Sequence, residues 1–498
     1  MSVRDFAPGK EVVEPRGMWS AFAQKRKGSP QRASMMLNAR IAPGVVGSRP
    51  GTSAVAAATG QVTGLFNWIA PSGSSYVLYR DGTAIKSLLL PSTITTLLSS
   101  IGTTFRPSFA DLDVWTYLTG YDTSSHGTLQ CRIYDGTNID KAFRGPVTLT
   151  AAAAVDGGAG QCTAGTHLFG FVYQNRTGFA GVPTTAVASV PISVTLNAGL
   201  RQINISVTLP AQTDGGGTAS LFLIGTRGDN PNNWYFLPTD PRTGAIGELP
   251  VPLNTIATLN FVMNLSDEDI ASQLAGDSAN EQFLLLTQDG SGNGPFTPSF
   301  VVAYGERMCY GDGTSLRVSN INNPQYLTGD QHVVTMPNKR SIAYAFPLNG
   351  STDLYLIGDR WTSRVTDNSD VPATWAQPIK ISDAIGAPFP ACVCYRTGGN
   401  YAWVVSEGGA YLFNGTYPER PITYLCSDQW ARVNWTAAYA IETADDVAGL
   451  RFYIAVPLDG ATTPTHLFVI DYTNGIEYDQ VDISLDVFSQ PGGIGGVS

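Results

Sequence analysis

The sequence predicts an all-β protein, and three observations lead to this prediction. Only 14% of the 498 residues are charged, and the chain carries 53 Gly and 31 Pro, a composition typical of strands and turns. Short apolar runs end repeatedly at Gly, Asp and Asn, which reverse a chain into hairpins. One group of such strands also recurs along the C-terminal half. Together these observations favour small antiparallel sheets over helices or disorder.

The recurring unit is seen most clearly at Ser299–Tyr326. Its first apolar run, Phe300–Tyr304, stops at Gly305-Glu306-Arg307, and a second turn follows at Gly311–Gly313. A third strand, Ser315–Ser319, then leads into a polar loop. Residues that tolerate positive φ, placed between β-rich runs, indicate hairpins. We therefore predict an antiparallel meander of short strands.

Equivalent third strands can be aligned further along the chain. With one anchor residue in each unit, the intervals are 47, 48 and 58 residues; the anchors are Val318, Val365, Phe413 and Asp471. Units of several strands with periods near ~40–50 residues predict the blades of a β-propeller, here of about six blades. The chain carries neither a WD nor a kelch signature, and a large β-sandwich with evenly spaced strands is the alternative.

Two similar units are predicted in the N-terminal half, between Leu65 and Asp140. Tyr76–Tyr79 ends at an Arg-Asp-Gly-Thr turn, and Gln130–Tyr134 ends at Asp-Gly-Thr-Asn. Their spacing of 55 residues agrees with the later period. We therefore assign residues 53–142 to the first blades and 263–498 to the remaining ones.

Residues 143–262 break this pattern and predict a separate sandwich, inserted between blades with its two ends close together. Seven or so strands in about a hundred residues are typical of such a module. The clearest runs are Val147–Val155, Thr166–Asn175, Val190–Leu196, Arg201–Leu209 and Ala219–Thr226. The segment resembles a fibronectin type III module without the disulfide of antibody domains.

The first 52 residues differ in charge from everything that follows. They hold nine basic and three acidic residues, a net +6, so the remainder of a chain of net −10 carries −16. Five prolines and the absence of periodicity predict an extended arm. Lys25-Arg26-Lys27 is either a solvated run or a contact to an acidic partner or phosphate.

Two stretches carry a further resemblance. Arg32–Thr52 combines an asparagine-bearing segment, a turn and an Arg-Pro-Gly-Thr strand start, and Arg307–Pro324 ends in a polar Asn-Pro loop. Both resemble the propeller-bearing tail proteins of tailed bacteriophages, especially the nozzle that extends a short tail. Fibronectin type III modules commonly decorate such proteins.

This resemblance implies a structural virion protein, assembled in the host bacterial cytoplasm and found in the virion tail. Its copies would form a ring, with six favoured, at the end of the tail or neck, through which genomic DNA is ejected without sequence-specific contacts. Its partners would be other tail and neck proteins, such as the adaptor and the tail fibres.

No catalytic, cofactor-binding or metal site is predicted, and we expect a protein that is not an enzyme. Asp267, Glu268 and Asp269 are expected at the start of a helix capped by Ser266, where acids suit the helix dipole. Asp289–Gly294 has the first residues of a calcium loop but not its Glu, and predicts a hairpin turn. Ser369–Trp375 is only distantly similar to the Asp-box of sialidases.

The other candidate residues are scattered along the chain. The four histidines are isolated, and His167 and His466 precede apolar strands and are expected at strand edges. Cys392 and Cys394 are expected to be buried free thiols. The N-terminus lacks the apolar core of a signal peptide, and no apolar run reaches ~18 residues, so no membrane span is predicted. The alternative function is a glycan-binding or glycan-hydrolysing propeller with an accessory sandwich, whose loops would use Trp, Tyr and Asn.

Overall fold

The structure is a computed structural model, and it describes most of the chain beyond the arm. The described residues are 39–42, 45–48, 62–90, 93–102, 105–112, 114–122, 130–143, 149–174, 184–211, 218–228, 234–237, 249–252, 256–272, 297–322, 324–325, 327, 333–336, 339–349, 352–395, 399–476 and 481–487. The Lys25-Arg26-Lys27 run, the Asp289–Gly294 turn and most of the arm lie outside them.

The described part is almost entirely β, as predicted, and begins with a hairpin and two sheets. The hairpin pairs β1 (Ala39–Ala42) with β2 (Val45–Ser48). The first sheet contains β3 (Val62–Ile69), β4 (Ser75–Asp81), β5 (Ala84–Leu89) and β6 (Thr93–Leu98). The second contains β7 (Phe105–Leu112), β8 (Trp115–Asp122), β9 (Arg132–Tyr134) and β10 (Ile139–Lys141). In each sheet the strands pair antiparallel in chain order.

A unit of different topology follows, which we call the inserted unit. Its strands are β11 (Ala151–Cys162), β12 (Gly165–Gln174), β13 (Ala186–Val187), β14 (Val190–Leu196), β15 (Arg201–Leu209), β16 (Thr218–Thr226), β17 (Trp234–Phe236), β18 (Leu249–Pro252) and β19 (Ala257–Met263). One sheet has the order β11-β15-β19, and the other has β13-β14-β12-β16-β17 with β18 also on β16. A short helix, α1 (Asp267–Ser272), comes after β19.

Four further sheets complete the described chain. The third sheet is β20 (Val301–Tyr304), β21 (Arg307–Asp312), β22 (Ser315–Val318) and β23 (Val333–Thr335), and the fourth is β24 (Tyr344–Pro347), β25 (Asp353–Gly358), β26 (Trp361–Thr366) and β27 (Ile379–Ser382). The fifth is β28 (Val393–Tyr395), β29 (Ala402–Ser406) and β30 (Gly409–Phe413), and the sixth is β31 (Glu442–Asp446), β32 (Arg451–Val456), β33 (His466–Asp471) and β34 (Asp482–Val487). A one-turn helix, α2 (Ser427–Trp430), lies between the last two sheets.

The turn chemistry explains why these runs become hairpins. Tyr304 pairs with Arg307 across a two-residue loop in which Gly305 and Glu306 both have positive φ, 53° and 60°. This is the type I′ geometry that matches the twist of the flanking strands. The predicted reversal at this point therefore has the expected physical basis.

The repeat alignment agrees with the strands at its anchors and fails in the N-terminal half. Val318, Val365, Phe413 and Asp471 each lie in the third strand of their sheet. Tyr79, however, lies in the second strand of the first sheet, whereas Tyr134 lies in the third strand of the second. The spacing of 55 residues thus compares unlike strands and does not measure a period.

Neighbouring sheets share hydrophobic cores in chain order. One buried cluster combines residues of the first and second sheets, another combines the second and third, and the largest runs from the third to the sixth. The inserted unit encloses a separate core between its two sheets, with Phe169, Phe171 and Leu223 on one side and Ile203 and Ile205 on the other.

The inserted unit does not bring its two ends together as the sequence analysis expected. Ala151 at the start of β11 pairs with Thr208, whereas Met263 at the end of β19 pairs with Ile203. The two points are five residues apart along β15, which is roughly 17 Å. The chain enters at one end of this sheet and leaves at the other, because β11 and β19 run in the same direction on either side of β15.

Candidate functional site

The first strands of neighbouring sheets contact one another, and these contacts bring together segments that are distant in sequence. β7 lies against both β3 and β20, β20 lies against β24, and β28 lies against β31. Between the second and third sheets, the Ser108 hydroxyl accepts from the Val301 amide at 3.1 Å and also contacts the Val301 carbonyl at 3.3 Å. Residues in the first strands of neighbouring sheets are therefore close in space.

Four residues form what we call the convergence cluster: Gly64, Arg106 and Glu442 from three sheets, and Tyr439 from the 3₁₀ segment Trp435–Ala440 before β31. The Arg106 Nε donates to the Tyr439 carbonyl at 2.5 Å, and its guanidinium lies 5.6 Å from the centre of the Tyr439 ring. The Gly64 amide donates to the Glu442 carboxylate, which also interacts electrostatically with Arg106. The cluster joins the sixth sheet to the first and the second.

Backbone geometry brings the first two sheets close enough for this arrangement. Gly64 has φ of +62°, and a Cβ at this position would lie 2.4 Å from the Pro107 Cγ. β3 carries a register shift between Thr63 and Phe66 at the same place. Only glycine fits this position, since both the φ value and the contact exclude a side chain.

Burial sets the protonation of the cluster. Glu442 is 9% exposed, and burial raises its pKa to about 7, although Arg106, the Gly64 amide and Arg80 each act in the opposite direction. Burial also lowers the pKa of Arg106, which Glu442 partly offsets. A carboxyl whose pKa is near neutrality carries a mixed charge at physiological pH.

A second contact between first strands lies further along β7. Tyr344 of the fourth sheet and Tyr395 of the fifth share a hydrogen bond, with ring centroids 6.3 Å apart. Burial raises the pKa of Tyr344 to about 12, and it raises the pKa of Tyr395 as well. Asp111 of the second sheet acts electrostatically on Tyr395, so the second and fifth sheets also approach one another here.

The chemistry of these groups is that of structural contacts. Arg106 binds a backbone carbonyl, Glu442 accepts from a backbone amide, and the two tyrosines bind each other. The nearby Cys392 is a buried free thiol whose pKa burial raises to about 12, so its nucleophilic thiolate is not populated near neutrality.

The interface between the third and fourth sheets uses a buried arginine. Arg307 is 1% exposed and donates to the Ser319 carbonyl at 2.9 Å and to the Asp370 carbonyl at 3.2 Å. Its Nε lies 3.5 Å from the Asp367 carboxylate, and its guanidinium lies 5.8 Å from the Trp375 ring centre. The planar fork of arginine makes all four contacts possible together.

The residues that the sequence singled out as possible chemistry have structural partners. Ser266 caps α1, since its hydroxyl accepts from the Asp269 amide at 3.1 Å, and the Thr163 hydroxyl donates to Asp267. In the loop compared with an Asp-box, the Trp375 indole donates to the Ser369 carbonyl at 2.7 Å. Trp375 is buried, so its ring is not open to a sugar.

Two of the four histidines are likewise held within the fold, and His126 and His332 lie outside the described residues. His167 lies inside β12 rather than at its edge, fully buried, with its ring nitrogens 3.1 Å and 2.9 Å from the carbonyls of Thr226 and Thr163. His466 begins β33, and its Nδ1 lies 2.9 Å from the Thr465 hydroxyl. Within the described ranges, His, Cys, Asp and Glu form no group that could hold a metal ion.

A cleft of about 380 Å³ lies beside the turn between β25 and β26. Two of its charged side chains pair with each other, Arg340 with Asp383 at 3.1 Å, while Arg360 pairs with Glu407 at 2.6 Å. Trp361 lines the cleft but is only 6% exposed. The cleft therefore presents paired charges rather than an aromatic platform.

Comparison with known proteins gives no family. No protein-family model matches the chain, and no curated protein matches it. Among solved structures, apo AztD from Citrobacter koseri is 12% identical over 86% of this chain and 90% of that chain, with a TM-score of 0.29. BBS1N in complex with ARL6DN is 9% identical over 88% and 96%, with a TM-score of 0.24. At these TM-scores neither likeness bears on function.

Sequence reasoning missed the convergence cluster because it aligned the wrong strands. The repeat was anchored on second and third strands, whereas Arg106 and Glu442 lie near the beginnings of first strands. The sequence offered no signal for the cluster, because β7 reads FRPSFADL and β31 reads ETADD, and both strands mix polar with apolar residues. No helix in the described residues is long and apolar enough to cross a membrane.

Proposed function

We propose that the six sheets form a closed β-propeller, and that the protein is a structural component of a bacteriophage tail. The observation that carries the propeller is the convergence cluster, in which Arg106 and Gly64 contact Tyr439 and Glu442. Contacts between first strands in chain order, together with a contact from the last sheet back to the first two, are what a ring of blades requires. The inserted unit is then a fibronectin type III-like sandwich between the second and third blades.

A scaffold role is supported by what occupies the centre of the proposed ring. In a ring of blades the first strands surround the axis, so Arg106 and Glu442 would lie beside it at one level and the pair Tyr344–Tyr395 at another. The two tyrosines share a hydrogen bond, Arg106 donates to the Tyr439 carbonyl, and Glu442 accepts from the Gly64 amide and interacts electrostatically with Arg106. A propeller can otherwise keep a channel at its centre. Arg32–Thr52 and Arg307–Pro324 resemble tail nozzles, and this resemblance is the reason for proposing a phage tail as the assembly.

A filled centre has a consequence for DNA passage. A single copy offers no path for a duplex, so a conduit needs several copies around one axis, a closed cyclic assembly. The resemblance favours six. The arm carries +6 and the remainder −16, so a lumen lined by the remainder would repel phosphates and let DNA slide, whereas Lys and Arg would retain it.

The test is electron microscopy of purified virions combined with quantification of their proteins. We expect several copies in a ring at the end of the tail or neck, in contact with adaptor and fibre proteins, and with Asp, Glu, Ser, Thr and Asn lining the lumen. A single copy away from the tail axis, or a lumen lined by Arg and Lys, contradicts the proposal. Specific binding on a glycan array by the isolated protein would favour the glycan-binding alternative.

A further inference from the structure

The edge of β19 differs from the other sheet edges of the described chain. β19 has seven residues, none charged and none proline, and it pairs with β15 without a register shift. Within the described part it pairs on that side alone and ends its sheet. A long, flat, uncharged edge presents unpaired N–H and C=O groups that favour pairing with another strand.

The outer strands of the repeated sheets are each protected in a recognised way. β10 and β23 have three residues each, β27 carries Lys380 beside a register shift, and the pairing of β6 contains a register shift next to Lys86. β30 is covered by a 3₁₀ helix at Ile422–Cys426, and β34 lies against β1. Short length, charge, bulges and cover are the devices that keep edges from pairing.

The remaining edges of the inserted unit are protected as well. β11 has two register shifts and the charged Asp156, whose carboxylate pairs with Arg201 at 2.6 Å. β13 has two residues, β17 has three, and β18 contains Pro250 and Pro252. Among the edges of the inserted unit and the outer edges of the repeated sheets, within the described residues, β19 is the one that has no such device.

The sequence of β19 is complementary to itself. In an antiparallel pairing centred on Asn260, Asn260 meets Asn260, and Thr258 meets Val262. On the other face Leu259 meets Phe261. Leu259 is only partly buried and Val262 is 43% exposed, so both have apolar surface for a partner to cover.

The charge distribution around β19 also suits a second copy of this chain as its partner. The chain carries a net −10, so most contacts between two copies bring like charges together. The outer face beside β19 is neutral, because Asn204 pairs with Val262 and with Val155, and Ser206 pairs with Asn260 and with Ala153. On this face a second β19 meets no like charge at the positions beside it.

We propose that β19 is a homotypic interface, at which a second copy of this chain adds its own β19 antiparallel about a two-fold axis through Asn260. The two three-stranded sheets then become one continuous sheet of six strands, by β-augmentation. This contact is isologous, whereas a cyclic ring uses head-to-tail contacts, so the inference does not rest on the proposed function.

A cysteine pair tests the register directly. Opposed Cα atoms in an antiparallel pair lie about 4.5–5.5 Å apart, within the range of a disulfide. Asn260→Cys in the full chain should form a covalent dimer under mild oxidation. Asn204→Cys, on the same face but in the middle strand, is the matched control, because its two copies would lie about 20 Å apart, three strand spacings across the sheet and four residues along it. We expect at least tenfold more dimer from Asn260→Cys.

A charge pair tests the affinity. Asn260→Lys places like charges opposite each other at the two-fold axis, whereas Asn204→Lys places the same charge one strand away. Light scattering over a concentration series should show dimer formation weakened at least tenfold in Asn260→Lys and little changed in Asn204→Lys. If the chain also forms a ring through other contacts, that ring should persist in Asn260→Lys. Only the contact between two copies through β19 should be lost. Equal crosslinking of the two cysteine variants, or equal masses of the two lysine variants, overturns the proposal.

Discussion

Trp403 and Phe452 stack face to face across the fifth and sixth sheets, with ring centroids 4.4 Å apart and planes inclined by 5°. Both side chains are fully buried. Because a truncated aromatic ring leaves a cavity, Trp403→Ala should lower the free energy of unfolding by about 3–5 kcal/mol. Urea denaturation followed by circular dichroism measures this loss.

The stacking itself can be separated from burial by a double-mutant cycle with Phe452→Ala. We expect a coupling of about 0.5–1.5 kcal/mol between the two rings. Ile69→Ala is the surface control, since Ile69 is 66% exposed, and it should change stability by less than about 0.5 kcal/mol. Additive losses at Trp403 and Phe452 would show that the rings contribute independently.

The protonation of Glu442 should make stability depend on pH. Its folded-state pKa is about 7, above the ordinary 4.5, so the folded protein binds more protons than the unfolded chain between these values. The contribution is fully present below about 4.5 and is lost as pH rises through about 7. Between pH 4.5 and 7.5 the wild type should lose on the order of 1–3 kcal/mol that Glu442→Gln does not lose.

Thermal unfolding of both proteins at several pH values measures this difference. Glu419→Gln is the matched control, since Glu419 is exposed, and its pH profile should follow the wild type. Parallel profiles for the wild type and Glu442→Gln would contradict the assignment of the buried proton to Glu442.

The interface between the third and fourth sheets should require arginine rather than any cation at position 307. Lysine cannot reproduce the fork that reaches the carbonyls of Ser319 and Asp370, so Arg307→Lys should cost about 2–3 kcal/mol. Arg360→Lys is the matched control, because it makes the same change in a surface ion pair whose arginine side chain is 69% exposed. It should lower the free energy of unfolding by less than about 0.5 kcal/mol. Equal midpoints of urea unfolding in the two variants would refute the role of the fork.

The inserted unit should be removable without unfolding the six sheets. Its core is separate, and the chain on either side is anchored by other contacts: Phe143 packs on Tyr310 with centroids 5.3 Å apart, and Thr119 donates to the Pro298 carbonyl at 2.5 Å. Replacing residues 149–272, which include the core residues Leu265 and Ile270, by a Gly/Ser linker long enough to join the two separated ends should leave a soluble β-rich protein with a cooperative transition. Aggregation of the shortened chain would show that the sheets depend on the unit.

Local signals predicted much of the fold, because hairpins are encoded locally. The Gly305-Glu306 turn, the Ser266 cap and most strands of the inserted unit follow from residues that are neighbours in sequence. The separation between the start of β11 and the end of β19 could not be predicted. It follows from the strand order within the sheet, which depends on contacts between distant segments.

The convergence cluster was missed for a related reason. Arg106 and Glu442 look in isolation like ordinary charged residues in apolar surroundings, and only the fold makes them partners. Their burial, the raised pKa of Glu442 and the close approach at Gly64 all arise from tertiary packing. No interval or motif in the sequence relates these positions.

The contact between Arg106 and Tyr439 also constrains how the protein is made. The two residues are separated by 333 positions. At about 5–20 residues per second, the ribosome synthesises the partner of Arg106 roughly 15–70 s after Arg106 itself. During that time Arg106, which is buried in the complete protein, and the surfaces beside it stay uncovered. The nascent chain therefore exposes these surfaces to aggregation or to chaperones until its last sheet is translated.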